Sequence, residues 1–113
     1  MPIKESIWDD VAVLALQGKF MGGQNSLALH EKVHSLIADG VKQVVMDLKE
    51  AEWLNSSALG VLIASIISLR NAGGDLKLAQ VTPKIESLLH STKLICVFET
   101  YESVDAAVSS FLT

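Results

Sequence analysis

Three short apolar runs, VAVLAL (residues 11–16), VKQVVMDL (41–48) and DLKLAQV (75–81), are separated by longer stretches whose apolar residues recur every three or four positions. Strand-length runs alternating with helix-length periodicity leave few arrangements open. The pattern predicts an α/β layer fold with a mixed, largely parallel central sheet and right-handed crossovers. The segment IKESIW before the first run suits an antiparallel hairpin arm, and Gly18 ends the run itself. After GKFMGGQNS, whose glycines read as loop and whose Asn25 or Ser26 reads as an N-cap, Leu29, Val33, Leu36 and Ile37 mark a first helix up to Gly40. A second helix covers residues 56–74 and is closed by Gly73 and Gly74. Pro83 opens a short helix through Leu89, LICVF (94–98) reads as the last strand, and YESVDAAVSSFL as a terminal amphipathic helix. The count is four to five strands and four helices. At 113 residues, with no linker, repeat or low-complexity tract, residues 1–113 make one domain.

Composition narrows the classes of function. Half of the residues are hydrophobic and 19% are charged, far from the composition of a disordered chain. A formal charge of −4 without a Lys/Arg cluster offers no footprint for a polyphosphate backbone, so no nucleic acid is expected as partner. The single cysteine, Cys96, has no internal disulfide partner, and MPIKESIWDD lacks the basic flank and apolar core of a secretory signal. The longest apolar stretch, near residues 58–69, is broken by Ser65 and Ser68 and falls short of a membrane span. A cytoplasmic protein without membrane insertion is the expectation.

Catalytic templates fit poorly. His30 to His34 reads HEKVH, a formal match to the H-E-x-x-H string in which two stacked imidazoles hold zinc and the glutamate activates water. A protease of that kind needs a third ligand, and the remaining histidine, His90, falls on a different predicted element. His30 and His34 read instead as the wet flank of the first helix. Gly22-Gly23 and Gly73-Gly74 match neither phosphate-binding glycine pattern, and Ser56 and Ser57 lie outside a G-x-S-x-G elbow. Cys96 within LICVF reads as a small buried hydrophobe, and Trp53 as a core ring. No catalytic residue, metal or cofactor is expected.

The informative stretch is WLNSSALG (53–60), where a polar turn becomes the second helix. At 100° per residue Leu59, Leu62, Ile66 and Leu69 form one stripe, which should face the sheet. The other side carries Ser57, Gly60, Val61, Ala64, Ile67 and Ser68, small or apolar and without a charge. A solvated helix face normally holds Lys, Glu or Arg, so this face is either covered by another element or kept uncharged for a partner. Its small residues favour the partner, because they allow close approach of another surface.

A strand ending in DL, a turn, N-S-S-A-L-G-V-L at a helix start and GGDLKLAQVTPKIESLL beyond it together resemble the STAS-domain proteins, in particular the bacterial anti-sigma-factor antagonists. The resemblance runs from the apolar strand ending in LQGKF to the terminal helix, and rests on the family motif D-[ST]-S-G-[LI]-G. It implies a single STAS domain with helices packed mainly on one face of the sheet. It further implies that Ser56, or alternatively Ser57, is phosphorylated by a partner that is both anti-sigma factor and serine kinase, and reset by a serine phosphatase. The unphosphorylated form would hold that partner through Asn55, Ser57, Gly60, Val61, Ala64 and Ile67, with Met21 facing the acceptor, and the phosphorylated form would let go. Asn55 stands where the family usually has Asp and keeps the capping role; Met21 stands where many antagonists carry an Asp. A second reading is a non-phosphorylated STAS adaptor of an ABC lipid-transport complex, using the same helix face without Ser56. The expected oligomeric state is monomer or weak dimer.

Overall fold

Val11, Ala12, Val13, Leu14 and Leu16 are all buried, which requires packing on both faces of the strand that holds them. The computed structural model describes residues 3–21 and 23–112; Met1, Pro2, Thr113 and Gly22, one half of the first glycine pair, lie outside the described residues. In chain order the elements are β1 (Ile3–Trp8), β2 (Val11–Leu16), β3 (Gly18–Phe20), α1 (Gly23–Ala38), β4 (Gln43–Asp47), β5 (Ala51–Leu54), α2 (Ser56–Asn71), β6 (Asp75–Ala79), α3 (Pro83–Ser91), β7 (Glu99–Tyr101) and α4 (Val104–Leu112). The main sheet has the order β1-β2-β4-β6-β7. β1 runs antiparallel to β2 through a tight turn with Asp9 at φ 58°, and the other neighbours are parallel. It is the mixed, largely parallel sheet that the alternation predicts.

Because strand side chains alternate, β2 supplies two cores at once. Ala12, Leu14 and Leu16 join Val44, Met46, Leu76 and Leu78 under α1, α2 and α3. Val11 and Val13 join Val45 and Ala79 under Ala107 and Val108 of α4. Three helices therefore cover one face and α4 covers the other. On the α4 side Lys77 is 8% exposed. Its Nζ donates to Ser110 Oγ at 2.8 Å, lies 3.8 Å from Glu99, and stands 4.2 Å from the centre of the Phe111 ring. A buried ammonium is tolerated because oxygen and aromatic partners replace its water.

The helices bury the stripes that their spacing predicts: Leu29, Val33 and Leu36 in α1, and Leu59, Leu62, Ile66 and Leu69 in α2. Gly73, at φ 91°, turns the chain out of α2, and a side chain at Gly74 would overlap the Lys42 carbonyl. Both glycines are required by geometry.

Several expectations are corrected. α1 begins at Gly23, so Asn25 and Ser26 lie inside its first turn; Ser26 is buried, and Asn25 Nδ2 donates to the Lys19 carbonyl at 3.3 Å. LICVF is a turn: the amides of Leu94 and Ile95 both donate to the Leu89 carbonyl and close α3, and the last strand is Glu99–Tyr101. Leu94, Ile95 and Val97 still pack against the core, which is why the run is apolar without being a strand. Cys96, between them, is exposed rather than buried.

Candidate functional site

The start of α2 is positioned by a second, two-stranded parallel sheet of β3 and β5. Phe20 lies opposite Leu54, and the Asn55 amide donates to the Phe20 carbonyl at 2.9 Å. That pairing sets Met21 beside the turn that enters α2. The register slips by one residue between Gly18 and Lys19, leaving Glu52 as the unpaired residue of β5. The charged stretch KEAE conceals this strand in the sequence.

Asn55 is the N-cap of α2. Its backbone is extended, at φ −85° and ψ −178°, and its Oδ1 accepts the Ala58 N–H at 3.0 Å. The cap bond therefore belongs to the amide side chain, and both Ser56 and Ser57 are exposed in the first turn. No acidic residue occupies that turn, so the positive end of the α2 dipole meets no carboxylate of its own helix.

The outer face of α2 continues from these serines. Gly60 is exposed, Val61, Ala64 and Ser68 are half-buried, and Ile67 is 53% exposed. Among the described residues no other element comes within 4 Å of a methyl group placed at Gly60. A glycine inside a helix costs roughly 0.5–1 kcal/mol relative to alanine, and no contact among the described residues requires one at this position. Met21 is 56% exposed and Leu27, one turn into α1, is 55% exposed. Two clefts, of about 450 Å³ and about 400 Å³, lie away from this surface, over Asp9, Asp10 and Gly40–Gln43 and over Gln80, Val81, Glu86 and Tyr101. The exposed serines, glycine and apolar side chains around Ser56 have the chemistry of a face for a macromolecule rather than of a small-substrate site.

Trp53, expected in the core, is half-buried at the end of β5, with the Lys84 ammonium 5.3 Å from its ring centre. Sequence reading gave no signal for this pairing across separate elements. The rings of His30 and His34 lie 4.3 Å apart on α1. His90 sits on α3, 3.9 Å from Glu86. Among the described residues no group of three or more His, Cys, Asp or Glu side chains is placed to hold a metal ion.

Comparison with known proteins follows the same lines. The STAS domain family model matches residues 3–107. BtrV of Bordetella bronchiseptica, assigned as an anti-sigma factor antagonist, is 25% identical over 105 residues, 93% of this chain and 90% of that protein. The crystal structure of a Thermotoga maritima protein with the same assignment superposes with a TM-score of 0.89 at 22% identity, covering 98% of this chain and 95% of that one. The Bacillus cell-fate determinant SpoIIAA in its phosphorylated form superposes with a TM-score of 0.75 at 14% identity, covering 96% and 97% of the two chains.

Proposed function

This chain belongs to the STAS domain family, and from that premise we propose that it is an anti-sigma-factor antagonist that works as a phosphorylatable switch. In the unmodified state the outer face of α2 docks on an anti-sigma factor that is also a serine kinase, and a sigma factor is freed. Phosphorylation of Ser56 breaks the complex, and a phosphatase restores it. The observation that carries the reading is the division of labour at the helix start: Asn55 caps α2, leaving Ser56 exposed at the edge of an uncharged face on which Gly60 and Ile67 are also exposed. A phosphate there, of charge about −1.5 to −2, is compatible with the fold because free amides and the positive end of the dipole receive it. It is incompatible with a docked partner, which would have to desolvate it. The occurrence of SpoIIAA in a phosphorylated form agrees with this reading.

The test is intact-mass analysis after incubation with candidate serine kinases, followed by affinity measurement. Ser56→Ala is expected to bind the partner constitutively, Ser56→Asp to bind weakly with a near-normal fold, and Ser57→Ala to remain a substrate. Phosphate mapped to Ser57 reassigns the acceptor, and unchanged affinity in a fully phosphorylated sample ends the switch. One observation favours a second reading, the non-phosphorylated adaptor of an ABC lipid-transport complex: exposed Met21 places a thioether, not a carboxylate, at the turn beside Asn55. In that case Met21 and Ile67 are needed for binding and Ser56 is not.

A further inference from the structure

Among the described residues no strand pairs with the outer edge of β1. β1 ends the main sheet, and its register with β2 is regular over all six residues, from Ile3 opposite Leu16 to Trp8 opposite Val11. An edge strand presents unpaired amides and carbonyls, and native proteins blunt such edges by shortness, charged side chains, proline, a bulge or a covering element. The other edge of this sheet, β7, is three residues long. β1 has no bulge and no proline between residues 3 and 8, and its residues from Lys4 to Trp8 are exposed; of its two charges, Glu5 is already ion-paired with Lys32 of α1 at 2.7 Å, and Lys4 remains for a partner. Ile7 is 52% and Trp8 38% exposed. The cross-strand partners of Ser6 and Trp8 are Val13 and Val11, which belong to the α4 core, so Lys4, Ser6 and Trp8 extend that face of the sheet past the helix.

We propose that β1 pairs antiparallel with β1 of a second copy of this chain, joining the two main sheets into one. A two-fold axis perpendicular to the sheet brings together only residues on the same face, hence of the same parity in the strand. Two registers keep most of β1 paired. With Glu5 on the axis, two glutamates stand directly opposite each other, which is destabilising. With Ser6 on the axis, Ser6 faces Ser6 and Lys4 of each copy faces Trp8 of the other, an ammonium against an indole. Asp9 and Asp10 form the turn directly after Trp8, so the acidic turn of each copy falls near the lysine of the other. This charge pattern fits the strand to itself. A five-residue pairing buries far less than a standard interface of about 1,600 Å², so the dimer is weak. The pairing uses neither α2 nor Ser56, and it stands whether or not the switch does.

Sedimentation velocity of the full chain from about 5 µM to about 1 mM reads the association directly. The wild type is expected to shift from monomer to dimer across that range. Lys4→Glu, which turns the contact with the acidic turn repulsive, should weaken dimerisation at least tenfold, and adding Asp10→Lys should restore it. Ser6→Lys, which sets two lysines opposite each other on the axis, should also give monomer. Circular dichroism and the thermal midpoint confirm that each variant is folded. A wild type that stays monomeric to the top of the range overturns the proposal. So does a folded Lys4→Glu protein that associates like the wild type, or a double variant that fails to recover.

Discussion

Asn55, Ser56 and Ser57 are all good helix caps by residue type, and only geometry separates them: the Ala58 amide is bonded by Asn55. Asn55→Ala should therefore cost about 1 kcal/mol in urea unfolding, within the usual range of about 0.5–2, while Ser56→Ala costs a few tenths at most. Equal losses would make Ser56 a structural residue and remove the basis for a free acceptor. Gly60 gives a second test. Since its missing methyl group would meet open space, Gly60→Ala should raise stability by about 0.5–1 kcal/mol and yet weaken partner binding, measured by calorimetry on the same samples. A stabilised variant with unchanged affinity would place the partner elsewhere. At this scale the sequence names the candidates for the cap and the acceptor but cannot rank them, because three adjacent polar side chains compete for one amide.

Between elements, the face of α2 is tested by Ile67→Arg. Ile67 is exposed, so the thermal midpoint should change by the equivalent of no more than about 0.5 kcal/mol while the complex is lost. A large destabilisation would instead mean that the face is packed in the folded protein. The helices were legible because their buried stripes repeat every three or four residues over sixteen-residue elements, α1 and α2. The short elements were not. β5 is four residues long, and one of its four residues, Glu52, is unpaired in the bulge, so its alternation never shows. LICVF has the composition of a strand, yet its first two amides are taken by the end of α3, which bends the chain away. The same bend brings Cys96 to the surface, against the expectation from its apolar neighbours. The site itself was half legible: the motif marks Asn55 and Ser56, but the β3–β5 pairing that brings Met21 alongside has no local signature.

The molecule as a whole is asymmetric about its main sheet: three helices enclose the large core, and α4 alone closes the small one. Local opening free energy follows buried contact, so amides of α4 should exchange with deuterium well before those of β4 and α2. Uniform protection across the chain would show that the two faces open together. Lys77 should set how firmly α4 is held. Lys77→Ala is expected to lose about 2 kcal/mol or more through the cavity left by its stem, whereas Lys77→Met, which keeps the volume, should stay within about 1 kcal/mol of the wild type. If the two substitutions prove equally costly in denaturant unfolding, the charge rather than the packing is what fastens the helix. The order of the elements adds a consequence for biosynthesis. Every member of the large core precedes α4 in the chain, so Val11, Val13, Val45 and Ala79 stay bare until α4 has followed β7 out of the ribosome. At about 5–20 residues per second the nascent chain carries this sticky back for roughly a second. Chaperones, and neighbouring nascent chains, would meet the protein at that moment and on that side.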